Sequence, residues 1–113
     1  MAQIQEALGK QSIFAKLLLR GTRDGMFPSV FHSLCDNKGP LLVLFKTRKD
    51  ILCGGFSSIP WKNSGDWIVD KNCFIFSLKL RKIYKRLNDN GNLYFNQSYG
   101  PYFGIDALVI YNN

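Results

Sequence analysis

His32, the one histidine of the chain, stands three residues before Cys35. On a helix that spacing puts both side chains on one face, where they would suit a thiol nucleophile with its base, or half of a metal site. Zinc takes about four ligands with paired spacing, and here the cysteines are Cys35, Cys53 and Cys73, with no Cys-x-x-Cys pair and no second histidine. Packing on a helix face is the simpler account of both residues. Cys53 and Cys73 lie in strand-like apolar surroundings, where a free cysteine behaves as a small hydrophobe. The acids Asp24, Asp36, Asp50, Asp66, Asp70, Asp89 and Asp106 nearly all sit beside Gly, Asn or Lys, in settings where an aspartate caps a helix or closes a turn. No phosphate-binding loop, dinucleotide fingerprint or nucleophile elbow is present. The expectation is therefore no catalytic set, no metal and no cofactor.

A second constellation is electrostatic. Lys79, Arg81, Lys82, Lys85 and Arg86 place five basic residues in eight positions around Ile83 and Tyr84. Cations interleaved with an aromatic can bind nucleic acid. A solvated strand and hairpin edge, guarded from aggregation by its charge, is the favoured reading, and no specific nucleic acid is expected.

These residues must be positioned by local elements. Ile4, Ala7, Leu8, Phe14, Leu17 and Leu18 recur mostly at helical spacings, so a helix interrupted near Gly9 is expected over residues 2–18, with 16–20 equally readable as a short strand. After a turn at 21–25, Pro28, Val30, Phe31, Leu34 and Cys35 form a one-sided apolar pattern with proline in the first turn, a short helix ended by residues 36–40. The apolar run 41–47 reads as a buried strand and 51–57 as its hairpin partner, with Gly54-Gly55 marking a close backbone approach. A loop follows over 58–71. Phe74, Phe76, Leu78 and Leu80 alternate with Ile75, Ser77, Lys79 and Arg81, the period of a strand. Residues 83–87 and 93–95 flank Asn88-Asp89-Asn90-Gly91-Asn92 and read as a β-hairpin; 107–111 reads as one more strand. About six antiparallel strands with small helices result.

At 113 residues the chain has room for one domain, spanning 1–113. Its 46% hydrophobic content excludes whole-chain disorder. Fifteen Lys and Arg against eight Asp and Glu give a net charge of +7, which permits an acidic partner without choosing one. No stretch approaches the roughly 18 apolar residues of a membrane span, and the N-terminus lacks a signal-peptide pattern. Sparse cysteines fit a reducing compartment, so the expected location is cytoplasmic.

Several strings taken together resemble the TLDc domain, the module of the oxidation-resistance proteins and of relatives that regulate the vacuolar proton pump. They are Leu17-Leu18-Leu19-Arg20-Gly21-Thr22-Arg23-Asp24-Gly25, then Phe31-His32 and Cys35-Asp36-Asn37-Lys38-Gly39-Pro40, then Gly54-Gly55-Phe56-Ser57-Ser58-Ile59-Pro60-Trp61. Phe74-Ile75-Phe76-Ser77-Leu78 and Ser98-Tyr99-Gly100-Pro101-Tyr102-Phe103-Gly104 follow in the family's order. The resemblance covers residues 14–111. It implies an α+β fold, an antiparallel two-sheet β-sandwich with small peripheral helices. It further implies a non-enzymatic protein-binding module, linked to protection against oxidative damage and to regulation of the vacuolar proton-translocating ATPase. Two departures accompany it. Ile105-Asp106 stands where the family usually has further glycines and a His-Asp pair, and the chain ends at Asn113 where the family continues for several strands. The expectation is a fold incomplete at that end, with an open sheet edge for a partner.

Arg23, Asp24, Trp61 and Tyr99 are the expected partner contacts, because they lie in the matching turn and loop strings and such residue types anchor interfaces. Vacuolar ATPase subunits lead as partner, which would bring the chain to vacuolar or endolysosomal membranes through that contact. The alternative is a structural subunit of a cytoskeletal or ciliary assembly. A thiol-dependent antioxidant enzyme using Cys35 near His32 comes lower, and requires an accessible thiolate.

Overall fold

A computed structural model describes residues 15–25, 27–85, 91–104 and 108–109. The expected helix over 2–14, Arg86, and the turn at 88–90 lie outside the described residues. Helix α1 is a single turn, Gly21–Asp24, and α2 spans Pro28–Cys35. Strands follow as β1 Leu41–Lys46, β2 Leu52–Ser57, β3 Ser64–Ile68, β4 Phe74–Ser77, β5 Lys82–Lys85, β6 Leu93–Asn96, β7 Tyr102–Phe103 and β8 Leu108–Val109. They form two antiparallel four-stranded sheets, ordered β1-β2-β4-β5 and β3-β6-β7-β8. The α+β sandwich expected from the family strings is the observed fold.

In the first sheet Val43, Gly55 and Ile75 stand side by side across three strands, and Val43 and Ile75 pack against the central core. The glycine is required there: a Cβ at Gly55 would come within 2.7 Å of the buried Phe103 ring from the second sheet. This is the close approach expected at Gly54-Gly55. From the second sheet Leu93, Phe95 and Phe103 point inward, and Phe31 and Cys35 of α2 close the end of the core. The opposite face of the first sheet holds a smaller cluster, Phe74 and Phe76 against Leu42, Phe56, Leu78 and Ile83.

Pro28 occupies the first turn of α2, where its missing N–H costs nothing. His32 fastens that helix to the second sheet. Its Nε2–H is shared between the Asn96 and Tyr99 carbonyls at 2.7 and 2.8 Å, and Nδ1 makes a 2.8 Å hydrogen bond with the Asp36 carboxyl. A second polar fastener is Asp70, whose carboxylate accepts from the Ser58 backbone N–H at 2.7 Å, the Ser58 hydroxyl and the Asn72 N–H at 3.0 Å.

Four local expectations are corrected. Residues 15–18, the expected helix end, are not helical. Part of the expected loop 58–71 is β3, an edge strand whose exposed Ser, Gly and Asp carry little hydrophobic signal. The strands on either side of 86–92 do not form a hairpin: β5 pairs with β4 and β6 with β3, in different sheets. The strand at 74–80 also ends earlier, at Ser77, because residues 78–81 turn back with Arg81 at φ 52°.

Candidate partner-binding surface

Side-chain alternation decides which aromatic residues reach the surface. In β6, Leu93 and Phe95 are buried while Tyr94 between them points outward; in β7 Phe103 is buried and Tyr102 points outward. Trp67 of β3 lies opposite Tyr94. Their rings stack with centroids 4.6 Å apart, and Tyr102 meets both edge-on at 5.4 Å. Tyr99 completes the group, 5.3 Å from Tyr102 and 5.9 Å from Tyr94. Gly91, at φ 76°, sits beneath the indole, where a Cβ would come within 2.8 Å of the Trp67 ring. Trp67 is nevertheless 42% exposed. The Tyr94 hydroxyl accepts from Asn96 Nδ2 at 3.0 Å and keeps its own proton to donate. Edge-on and offset rings of this kind attract each other, so the outer face of the second sheet presents a mutually packed aromatic group.

Of the four expected contact residues, the structure puts Tyr99 in this cluster. Arg23 and Asp24 lie together in α1, where the guanidinium makes two 2.8 Å hydrogen bonds to the carboxylate and the Arg20 N–H donates to it at 2.8 Å. The Arg23 hydrogen bonds, with help from the Arg20 N–H, pull the Asp24 carboxyl down to about 2. Trp61 is a correction: at 0% exposure it is the centre of the core, with Phe31, Phe95 and Phe103 rings 5.0 to 5.7 Å away. A side chain sealed on all sides touches no partner. The cause is the parallel bridge between Asp36 and Trp61, with the Asn37 N–H donating to the Trp61 carbonyl at 2.9 Å, which pins this segment beneath α2.

Lys79 and Arg81 occupy the β4–β5 turn, and Lys82 and Lys85 lie on β5, all exposed. The basic group is therefore on the first sheet, apart from the aromatic cluster on the second. Trp67, Tyr94 and Tyr102 were not among the expected contacts. The signal for Tyr94 and Tyr102 was an aromatic residue beside a buried apolar one in a short strand, Leu93-Tyr94-Phe95 and Tyr102-Phe103; Trp67 lies in a strand that carries little such signal.

The thiol reading meets an obstacle. Cys35 is buried, and burial, with the nearby Asp36 charge, pushes its thiol up to about 11. Both His32 nitrogens are already engaged elsewhere. At pH 8 a thiol at about 11 carries roughly 100-fold less thiolate than one at the usual 9. Native Cys35 is thus expected to alkylate at least about 100-fold more slowly than in the denatured chain, as read by mass spectrometry of iodoacetamide adducts. Equal rates would restore the thiol chemistry. Among the described residues no three His, Cys, Asp or Glu side chains gather as a metal site, and no helix is long and apolar enough to cross a membrane.

A stretch of 44 residues is 39% identical to the MTOR-associated protein MEAK7 of Danio rerio, covering 39% of this chain and 10% of that protein. The chain thus spans a small part of the curated relative it matches. A family model described as the TLDc domain matches residues 1–111. With that match over nearly its whole length and the two-sheet sandwich it forms, the chain belongs to the TLDc domain family.

Proposed function

We propose that this TLDc domain is a non-enzymatic protein-binding module that docks on a larger assembly through the outer aromatic face of its second sheet. The observation that carries the reading is the Trp67–Tyr94–Tyr102–Tyr99 cluster, in which exposed Trp67 and three half-buried tyrosines are gathered by backbone pairing and ring contacts. Trp and Tyr dominate interface energetics because they bury large area with little loss of side-chain freedom. Tyr99 keeps its expected role there, and Arg23 and Asp24 are proposed as a further contact.

The vacuolar proton-translocating ATPase is the partner put first, on the strength of the likeness to the oxidation-resistance proteins, with regulation of the pump and protection from oxidative damage as the consequence. The Danio rerio relative is named for association with MTOR, which supports work by protein contact without choosing the partner. Such a role belongs on the cytoplasmic side of vacuolar or endolysosomal membranes.

The test is the affinity of the full chain for the purified soluble sector of the vacuolar ATPase. Trp67→Ser and Tyr102→Ser are expected to weaken binding at least about tenfold each, as hot-spot truncations do, with unfolding midpoints close to the parent's. Undiminished binding by both folded variants would remove the aromatic face from the interface.

A further inference from the structure

The first sheet ends on β5, and among the described residues no strand pairs with its outer side. Its four residues, Lys82, Ile83, Tyr84 and Lys85, lie opposite Ser77, Phe76, Ile75 and Phe74 of β4. Ile83 is half-buried in the outer apolar cluster, whereas Lys82, Tyr84 and Lys85 are exposed. Lys82 and Lys85 are an odd number of positions apart, so they project to opposite faces of the strand. Lys79 and Arg81 in the preceding turn add two more exposed cations. Among the described residues none of the four lies within ion-pair distance of a carboxylate. Among the described residues, an edge of unpaired backbone and cations without a carboxylate partner is thus left beside an apolar strip.

We propose that β5 accepts an acidic, extended segment of a partner protein as a fifth strand of the first sheet. Backbone pairing supplies affinity that is independent of side chains, and the side chains on either face select the sequence. An added strand places one residue opposite Lys82, one opposite Ile83 and one opposite Lys85. Opposite charges across a strand pair stabilise it and like charges oppose it. The fitting segment therefore carries carboxylates at the two lysine positions and a β-branched apolar residue against Ile83. The same lysines reject a second copy of this edge, since antiparallel self-pairing of Lys82–Lys85 sets Lys82 against Lys85. A nucleic acid backbone fits less well, because its phosphates would call for cations on one face rather than on both. The inference rests on the protein-binding reading but uses a different sheet, so the aromatic face stands or falls separately.

The experiment measures binding of the full chain to a short fluorescent peptide with glutamates spaced to meet Lys82 and Lys85 and a valine opposite Ile83. Binding is expected, weakened about tenfold or more by the Lys82→Glu/Lys85→Glu double variant. The lysine-for-glutamate version of the peptide is expected to bind that double variant better than it binds the parent. N-methylation of alternate peptide nitrogens is expected to abolish binding, because it removes the backbone donors of a ladder. Both lysines are exposed, and an unfolding midpoint within a few degrees of the parent's checks that the variant is folded. Absence of peptide binding would overturn the proposal. So would equal binding of the N-methylated peptide, or equally tight binding of oligothymidine or phosphatidylserine vesicles at the same salt, since each would show a charged surface without strand addition.

Discussion

Trp61→Ala is expected to lower the stability of the domain by about 3 to 5 kcal/mol, the range for truncating a buried Trp or Phe. Trp61 has no exposed surface and its ring contacts join α2 to the second sheet through Phe31, Phe95 and Phe103. Against a total of about 5 to 15 kcal/mol for an ordinary domain, that loss leaves a chain that is marginal or unfolded at ambient temperature. Trp61→Phe should cost much less. It keeps most of the apolar volume and removes Nε1–H, which has no hydrogen-bond partner among the described residues and so is a liability in the core. Chemical denaturation of the three proteins reads the order directly. An alanine variant within 1 kcal/mol of the parent would return Trp61 to the surface and to the contact role that its sequence context suggested.

Asp70→Ala is expected to cost about 3 kcal/mol, because it strands hydrogen-bond donors that the fold has already taken out of water. Asp70 is 2% exposed and joins three segments: its carboxylate holds the Ser58 N–H and hydroxyl at the end of β2 and the Asn72 N–H before β4, while its own N–H donates to Asn92 Oδ1 at 2.9 Å just before β6. Asp70→Asn separates the contributions. The Ser58 hydroxyl can rotate to accept from an amide, whereas the Asn72 N–H cannot reverse, so the asparagine variant should lose about half as much. Thermal unfolding checks the order parent, Asn, Ala. Equal midpoints for all three would show that the corner is held by its backbone alone.

The legible parts of the fold were those where one strand carries its own signal. The compact run Leu41–Lys46 and its partner across Lys49-Asp50 announce a hairpin, and Pro28 with the one-sided pattern through Cys35 announces α2. Partnership between distant strands is different. Residues 82–85 and 93–96 each look like strands, yet nothing in their local composition says that they leave the Asn-rich connection towards separate sheets. β3 escaped notice because an edge strand needs little apolar content, and a register shift between Ser64 and Asp66 breaks its alternation.

The candidate surface was read less well, for a related reason. Trp61 and Trp67 stand six positions apart in one polar, Pro- and Gly-containing stretch, and composition gives them equal claim to the surface. Burial separates them: the Asp36 bridge draws Trp61 under α2, while pairing with Tyr94 keeps Trp67 on the outer face. Tyr99, expected as a contact from its loop string, is half-buried beside Tyr94 and Tyr102, which become a group only when β6 and β7 pair. Three of the acids do what their turn-like neighbours suggested, Asp24 holding α1, Asp36 the end of α2 and Asp70 the β3–β4 corner, whereas Asp66 lies within strand β3.

The most direct test of partner docking through the second sheet is site-specific photocrosslinking of the full chain in native extract. A photoreactive residue at exposed Val69, beside Trp67 but outside the ring cluster, would be compared with one at Arg48 in the exposed β1–β2 turn of the other sheet. Crosslinks to vacuolar ATPase subunits from position 69, lost when Trp67 is also changed to Ser and weak from position 48, are the predicted result. Equal yields from both positions, survival of the crosslinks in the Trp67→Ser background, or crosslinks chiefly to tubulin would contradict it.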